Sequence, residues 1–174
     1  MKIRNAVMTL LVLVTMFAAR SFAARVSTDY DHSVNFEHYK TYSWAKVETA
    51  NSLWDTRVKD AINKELAAKG WSEVPSGGDV TLAAVETTRN RQQLNTFYDG
   101  FGGRRWGGFG QSTTTVQTYK VGTLVVDMFE AGSKNLIWRA ASHSALSGNP
   151  EKETKNLDKD VQKMFQHFPP EVTS

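Results

Sequence analysis

The apolar run Ala6–Ala19 (AVMTLLVLVTMFAA) stands directly behind Lys2 and Arg4 at the start of the chain. It is shorter than the roughly 20 residues that span a bilayer, and it has the length of a signal-peptide core. Ser21-Phe22-Ala23 then places small residues at the minus-three and minus-one positions of a cleavage site. The pattern predicts a cleavable export signal over residues 1–23, an uncleaved anchor being the alternative. What must fold is then residues 24–174, a length that fits one domain with a single core. The chain contains no cysteine, so this exported domain must be held by core burial alone.

Charge follows from the same cut. The whole chain carries 21 Lys+Arg and 18 Asp+Glu. The leader holds Lys2, Arg4 and Arg20 and no acid, which leaves 18 bases against 18 acids. The basic balance therefore belongs to export and argues for no nucleic-acid partner. A missing lipobox cysteine argues against lipid modification. The expected address is the periplasm, as a soluble protein with no transmembrane helix in the mature chain.

Arg25–Asp31 alternates as a half-buried strand, and Thr41-Tyr42-Ser43-Trp44 reads as a second short one. A helix follows, with Ser52 as its expected N-cap, Trp54, Val58, Ile62 and Leu66 along one stripe, and Gly70 past its end. Val80, Leu82 and Ala84 alternate in a strand expected to end near Thr88. Ser112–Tyr119 is again β-prone. Gly122–Glu130 and Asn135–Ser144 form a hairpin, with Gly132 at its tip and with Leu136, Trp138 and Ala140 on one face. Asn149 and Pro150 open a last helix, whose stripe is Leu157, Val161, Met164, Phe165 and Phe168, and Pro169-Pro170 stops it. This order predicts an α+β fold, a mostly antiparallel sheet with two helices on one face as a two-layer sandwich.

Several of these segments together resemble a bacterial family of exported proteins and lipoproteins known as domain of unknown function 4136. They are Asp29-Tyr30-Asp31, Tyr39-Lys40-Thr41-Tyr42-Ser43-Trp44, Leu66-Ala67-Ala68-Lys69-Gly70-Trp71, Gly122–Asp127, Leu136–Arg139 and Phe168-Pro169-Pro170. The resemblance covers nearly the whole mature chain. It implies a fold and an envelope address, and it carries over no catalytic residue. The chain departs from the lipoproteins of that family by lacking the lipobox cysteine.

No constellation in the sequence points to catalysis, a cofactor or a metal. Asp29, Asp31, His32, Glu37 and His38 lie close together, but their spacing matches neither a calcium loop nor a zinc site, and a solvated strand end and turn is the better reading. His143 lies between Ser142 and Ser144, yet adjacent strand residues face opposite ways and no Gly-x-Ser-x-Gly elbow is present. Trp44, Trp54, Trp71 and Trp138 read as core, and Arg139 reads as a cross-strand partner of Asp127.

One segment is built differently. Residues 97–112 join Phe101, Arg104, Arg105, Trp106 and Phe109 to a run of glycines. It lacks the Gly-Lys-Ser/Thr of a phosphate loop. Rings and two cations on a freely bending backbone suit a contact surface. The expected occupant is an envelope protein, a glycan or a membrane surface. The sequence therefore predicts a non-enzymatic binding or interaction domain. The alternatives are a structural envelope component with an incidental disordered loop, or an enzyme with an unrecognised site.

Overall fold

A computed structural model describes residues 25–98 and 112–170 of the chain. The leader, 1–23, lies outside the described residues. Strand β1 (Arg25–Tyr30) is followed by a 3-10 turn (Phe36–His38) and β2 (Thr41–Glu48). Helix α1 (Ser52–Ala68) leads through the short β3 (Ser72–Glu73) into β4 (Val80–Tyr98). Then come β5 (Ser112–Glu130), β6 (Leu136–Ala145) and α2 (Pro150–Met164). The six strands form one sheet in the order β1-β6-β5-β4-β2-β3. The fold is α+β.

The sheet is mixed, which corrects the expected mostly antiparallel arrangement. β1–β6, β6–β5 and β5–β4 run antiparallel, whereas β2 runs parallel to both β3 and β4. The cause is α1. A helix between two neighbouring strands carries the chain back to the end where it began, so the next strand points the same way.

Local chemistry sets the helix ends. Asn51, one residue before the expected cap, accepts the N–H of Trp54 at 3.0 Å. Asp55 reaches back to the Thr49 N–H at 2.8 Å, so the first turn is held from both sides. Gly70 closes α1 at φ +80°, a conformation without steric penalty only for glycine. Asn149 caps α2 as expected, accepting the Lys152 N–H at 3.0 Å, with Pro150 in the first helical position.

Alternate residues of the strands form one apolar face. Leu82, Met128 and Trp138 lie in one row across β4, β5 and β6, and Ala84, Val126 and Ala140 lie in the next. Val58, Ile62 and Leu66 of α1 join them in a single core with Leu157, Val161 and Met164 of α2, and with Phe165 and Phe168 just beyond it. Trp71 and Trp138 are buried, while Trp44 and Trp54 are half-buried at the edge of the core. The expected Leu136 face is displaced. A register shift between Met128 and Phe129 pairs Leu136 with Phe129, so Ile137 is buried and Leu136 is exposed. The hairpin tip also differs, because its left-handed residue is Lys134 (φ 63°) and not Gly132.

Trp138 holds the centre of this core at 2% exposure, whereas Leu53 on α1 is 73% exposed. Trp138→Ala is expected to lower stability by about 3–5 kcal/mol. Leu53→Ala should change it by less than about 0.5 kcal/mol. Urea unfolding of the two variants measures the contrast, and equal effects would contradict the assigned core.

Candidate functional site

Phe101, Arg104, Arg105, Trp106 and Phe109 lie outside the described residues. The strands that carry them are described, and they are longer than the sequence indicates. β4 does not stop near Thr88 but runs to Tyr98, and Ser112–Glu130 is one strand. The two pair from Val80↔Glu130 to Tyr98↔Ser112. Their neighbours stop early, β2 at Glu48↔Val85 and β6 at Val121↔Ala145. From Asn90↔Lys120 outward the hairpin is therefore a two-stranded arm, about 30 Å long at the usual strand rise.

The arm has its own chemistry. Arg89, Arg91 and Lys120 at its root are exposed. Beyond them, Gln92–Tyr98 and Ser112–Tyr119 contain no charged residue. Both sets of alternating positions are mainly polar: Asn90, Gln92 and Thr96 on one register, Arg91, Gln93 and Asn95 on the other. A lipid-facing barrel strand needs one apolar set, and this arm has none. Among the described residues, no neighbouring strand pairs the main-chain donors and acceptors along either edge of the ribbon.

Where the arm leaves the sheet, a small cleft opens between the sheet and α2. The next row across the strands is Glu86, Leu124 and Ser142, followed by Thr88, Gly122 and Ser144. The cleft, about 40 Å³, is lined by Glu86, Gly122, Leu124, Ser142 and Ser144 of these rows together with Trp54, Leu146, Glu153, Leu157 and Asp160. The polar part comes from elements far apart in sequence. Glu86 stands on β4, Ser142 and Ser144 on β6, and Glu153 and Asp160 on α2.

Each polar group is held differently. Asp160 is 8% exposed, and its Oδ2 accepts the Ser144 hydroxyl. Glu153 Oε1 accepts the Gly148 N–H at 2.8 Å. Ser142 is 2% exposed, and its Oγ has no hydrogen-bond partner among the described residues. Gly122 makes room for the Glu86 side chain, since a Cβ there would stand 2.9 Å from Glu86 Oε1. Among the described residues no Lys or Arg forms an ion pair with Glu86, Glu153 or Asp160.

The other sequence candidates are accounted for locally. Asp31 accepts the N–H and the hydroxyl of Ser33 and so fixes the turn after β1, and the His32 ring lies 4.2 Å from that of Tyr30. Among the described residues no group of three or more His, Asp or Glu is placed to hold a metal ion. His143 is exposed on the face opposite buried Ser142, and its Nδ1 meets the Thr123 hydroxyl at 2.9 Å. Arg139 grips Asp127 with two bonds of 2.6 and 2.7 Å, the expected cross-strand pair. Among the described residues no helix is long and apolar enough to cross a membrane.

Burial pushes the Glu86 carboxyl above its ordinary range. The Trp54 indole N–H opposes this rise, and the Glu153 carboxylate adds to it. An acid whose folded-state pKa lies above its unfolded value binds more protons when folded, so its ionisation weighs against the fold as pH rises through that window. Glu86→Gln should therefore raise the melting temperature at pH 7, and the gain should vanish below about pH 4, where unfolded glutamate is also protonated. Calorimetry across a pH series checks this, and a lower melting temperature at pH 7 would refute it.

Similarity to other proteins agrees with this architecture. The structure overlaps a PDZ domain protein from Parabacteroides distasonis with a TM-score of 0.58 at 11% identity, over 93% of this chain and 40% of that one. The chain thus spans less than half of that protein, and the likeness concerns the fold alone. It also overlaps a PelC dodecamer subunit from Paraburkholderia phytofirmans (TM-score 0.48, 13% identity, 82% of this chain and 97% of that one). A minor lipoprotein from Acinetobacter baumannii overlaps at TM-score 0.37 and 16% identity, over 74% of this chain and 90% of that one. No functionally curated protein matches the sequence. The model of DUF4136, a domain of unknown function, matches residues 26–170, and the chain belongs to that family.

Proposed function

We propose that this protein is an exported, non-catalytic binding domain of the cell envelope that engages a partner protein through the β4–β5 arm. The observation that carries this reading is the arm itself. Nine residue pairs, from Asn90↔Lys120 to Tyr98↔Ser112, continue past every other strand of the sheet. A two-stranded ribbon on its own is marginal in water, and its bare edges are templates for strand addition. An uncharged distal half leaves main-chain pairing unopposed, and pockets or side chains of the partner then supply selectivity.

The segment that joins β4 to β5 adds side chains suited to contact. Phe101, Arg104, Arg105, Trp106 and Phe109 are the rings and cations that dominate contact energies where proteins meet. The export signal expected over residues 1–23 supplies the envelope address. The mainly polar character of both sets of positions in the arm favours a protein over a membrane surface as its occupant.

Two experiments test the reading. Replacing residues 90–120 with Asn-Gly joins the paired residues Arg89 and Val121 by a two-residue turn. Because the core includes no described residue between Ala84 and Leu124, this shortened chain should keep its melting temperature. A photo-reactive residue at Trp106 should give a discrete protein adduct in cells, and one at exposed Lys64 on α1 should give none. In the probe-free chain, Arg105→Ala with Trp106→Ala should weaken capture of the same protein without lowering the melting temperature. Absence of any adduct from Trp106 in a folded, exported protein would defeat the proposal.

A further inference from the structure

We infer that the cleft at the root of the arm is a binding site for a primary ammonium group, with Glu86, Glu153 and Asp160 as counter-charges and Ser142 Oγ as an acceptor. The inference stands apart from the role of the arm. Three carboxylates line one small cleft, and among the described residues none has a basic partner. Asp160 is the sharpest case, a carboxylate at 8% exposure bonded to one serine hydroxyl. Buried carboxylates are stable when a cation and further donors compensate them.

Ser142 gives the second, independent observation. Its hydroxyl is buried on the lining of the cleft and has no hydrogen-bond partner among the described residues. Such a group weakens a fold unless something bonds to it. An ammonium offers three donors at once, which suits several separated oxygens.

Geometry selects the kind of cation. The acids are not grouped to hold a metal ion, whose ligands must converge within about 2.0–2.6 Å of one point. A cleft of about 40 Å³ admits an ammonium head and the first carbons of its stem. Leu124, Leu146 and Leu157 give that stem apolar walls, and Trp54 of α1's first turn lines the cleft with them. The ligand class is thus a primary alkylammonium, free in solution or borne on a lipid headgroup.

The test is titration of the full chain with propylammonium, followed by amide shifts in NMR. Saturable shifts centred on Ser142 and Asp160 are expected, with Kd in roughly the millimolar range for so small a ligand. Propyltrimethylammonium, which has the charge without the donors, should bind at least about tenfold more weakly. Ser142→Ala should weaken propylammonium about fivefold while keeping or raising the melting temperature, because it removes an unsatisfied hydroxyl. Asp160→Asn should abolish the shifts. If propylammonium binds, vesicles of phosphatidylethanolamine set against phosphatidylcholine separate the sources. Selective capture by the former assigns the headgroup, and equal behaviour assigns a free amine. No saturation, equal affinity for the trimethylated compound, preferential calcium binding or unchanged affinity in Ser142→Ala would each overturn the inference. The first of these would leave a cleft that holds water alone.

Discussion

The ring of Phe168 is the contact on which the rest of the structure depends. It lies just past α2, and its centroid stands 5.3 Å from Trp138, 5.2 Å from Trp71, 5.8 Å from Phe36 and 5.6 Å from Phe165. Those partners come from the sheet, from the segment between α1 and β3, from the 3-10 turn and from the end of α2. Edge-to-face aromatic pairs add about 0.5–1.5 kcal/mol each beyond the area they bury. In a chain with no cysteine such a cluster does what a disulfide does in many small exported domains, joining segments that are far apart in sequence. It also fixes α2 on the sheet. Leu157 and Asp160 can stand over Ser142 and Ser144 because Phe165 and Phe168 have already seated the end of the helix.

That anchored end is stitched by polar contacts as well. Asp79 accepts the Lys40 and Thr41 N–H groups at 3.0 and 2.8 Å and the Thr41 hydroxyl at 2.8 Å. These bonds hold the Asp79 carboxyl below the ordinary aspartate range. The Tyr39 hydroxyl donates to Glu130 at 2.8 Å, and burial, with that bond, raises it to about 12. These contacts tie the start of β2 to the ends of β4 and β5 farthest from the arm. The domain thus has a fixed end, dense in rings and hydrogen bonds, and an opposite end where core gives way to the cleft and then to the arm.

What the sequence discloses follows that division. Wherever an element packs against the core, its periodicity is visible: the Leu157–Phe168 stripe, the Val80–Ala84 alternation and the Asn149-Pro150 start are all legible. The parallel pairing of β2 with β4 is written only in the presence of α1 between them, a cue of connectivity and not of composition. The length of the arm leaves no periodic trace, because a ribbon with no core on either face has no reason to alternate. The cleft did leave a trace. Asp160 occupies a position of the α2 stripe between Leu157 and Met164, and Ser142 continues the buried alternation of Trp138 and Ala140. A polar residue on an otherwise apolar stripe is a signal of a site; Glu153 precedes it by two turns on the same helix, and Glu86 joins them only through the fold.

The charges at the root of the arm decide how its edges can be used. Arg89, Arg91 and Lys120 form a basic band below an uncharged distal half. Two copies docked edge to edge with their arms parallel would bring these bands together, and like charges facing across strands oppose pairing. Pairing with a foreign strand meets no such opposition along the neutral part, and an acidic surface below that strand would meet the band with opposite sign. Like charges at the root thus oppose the alignment of two copies, while the neutral part of the arm beyond them offers no such opposition.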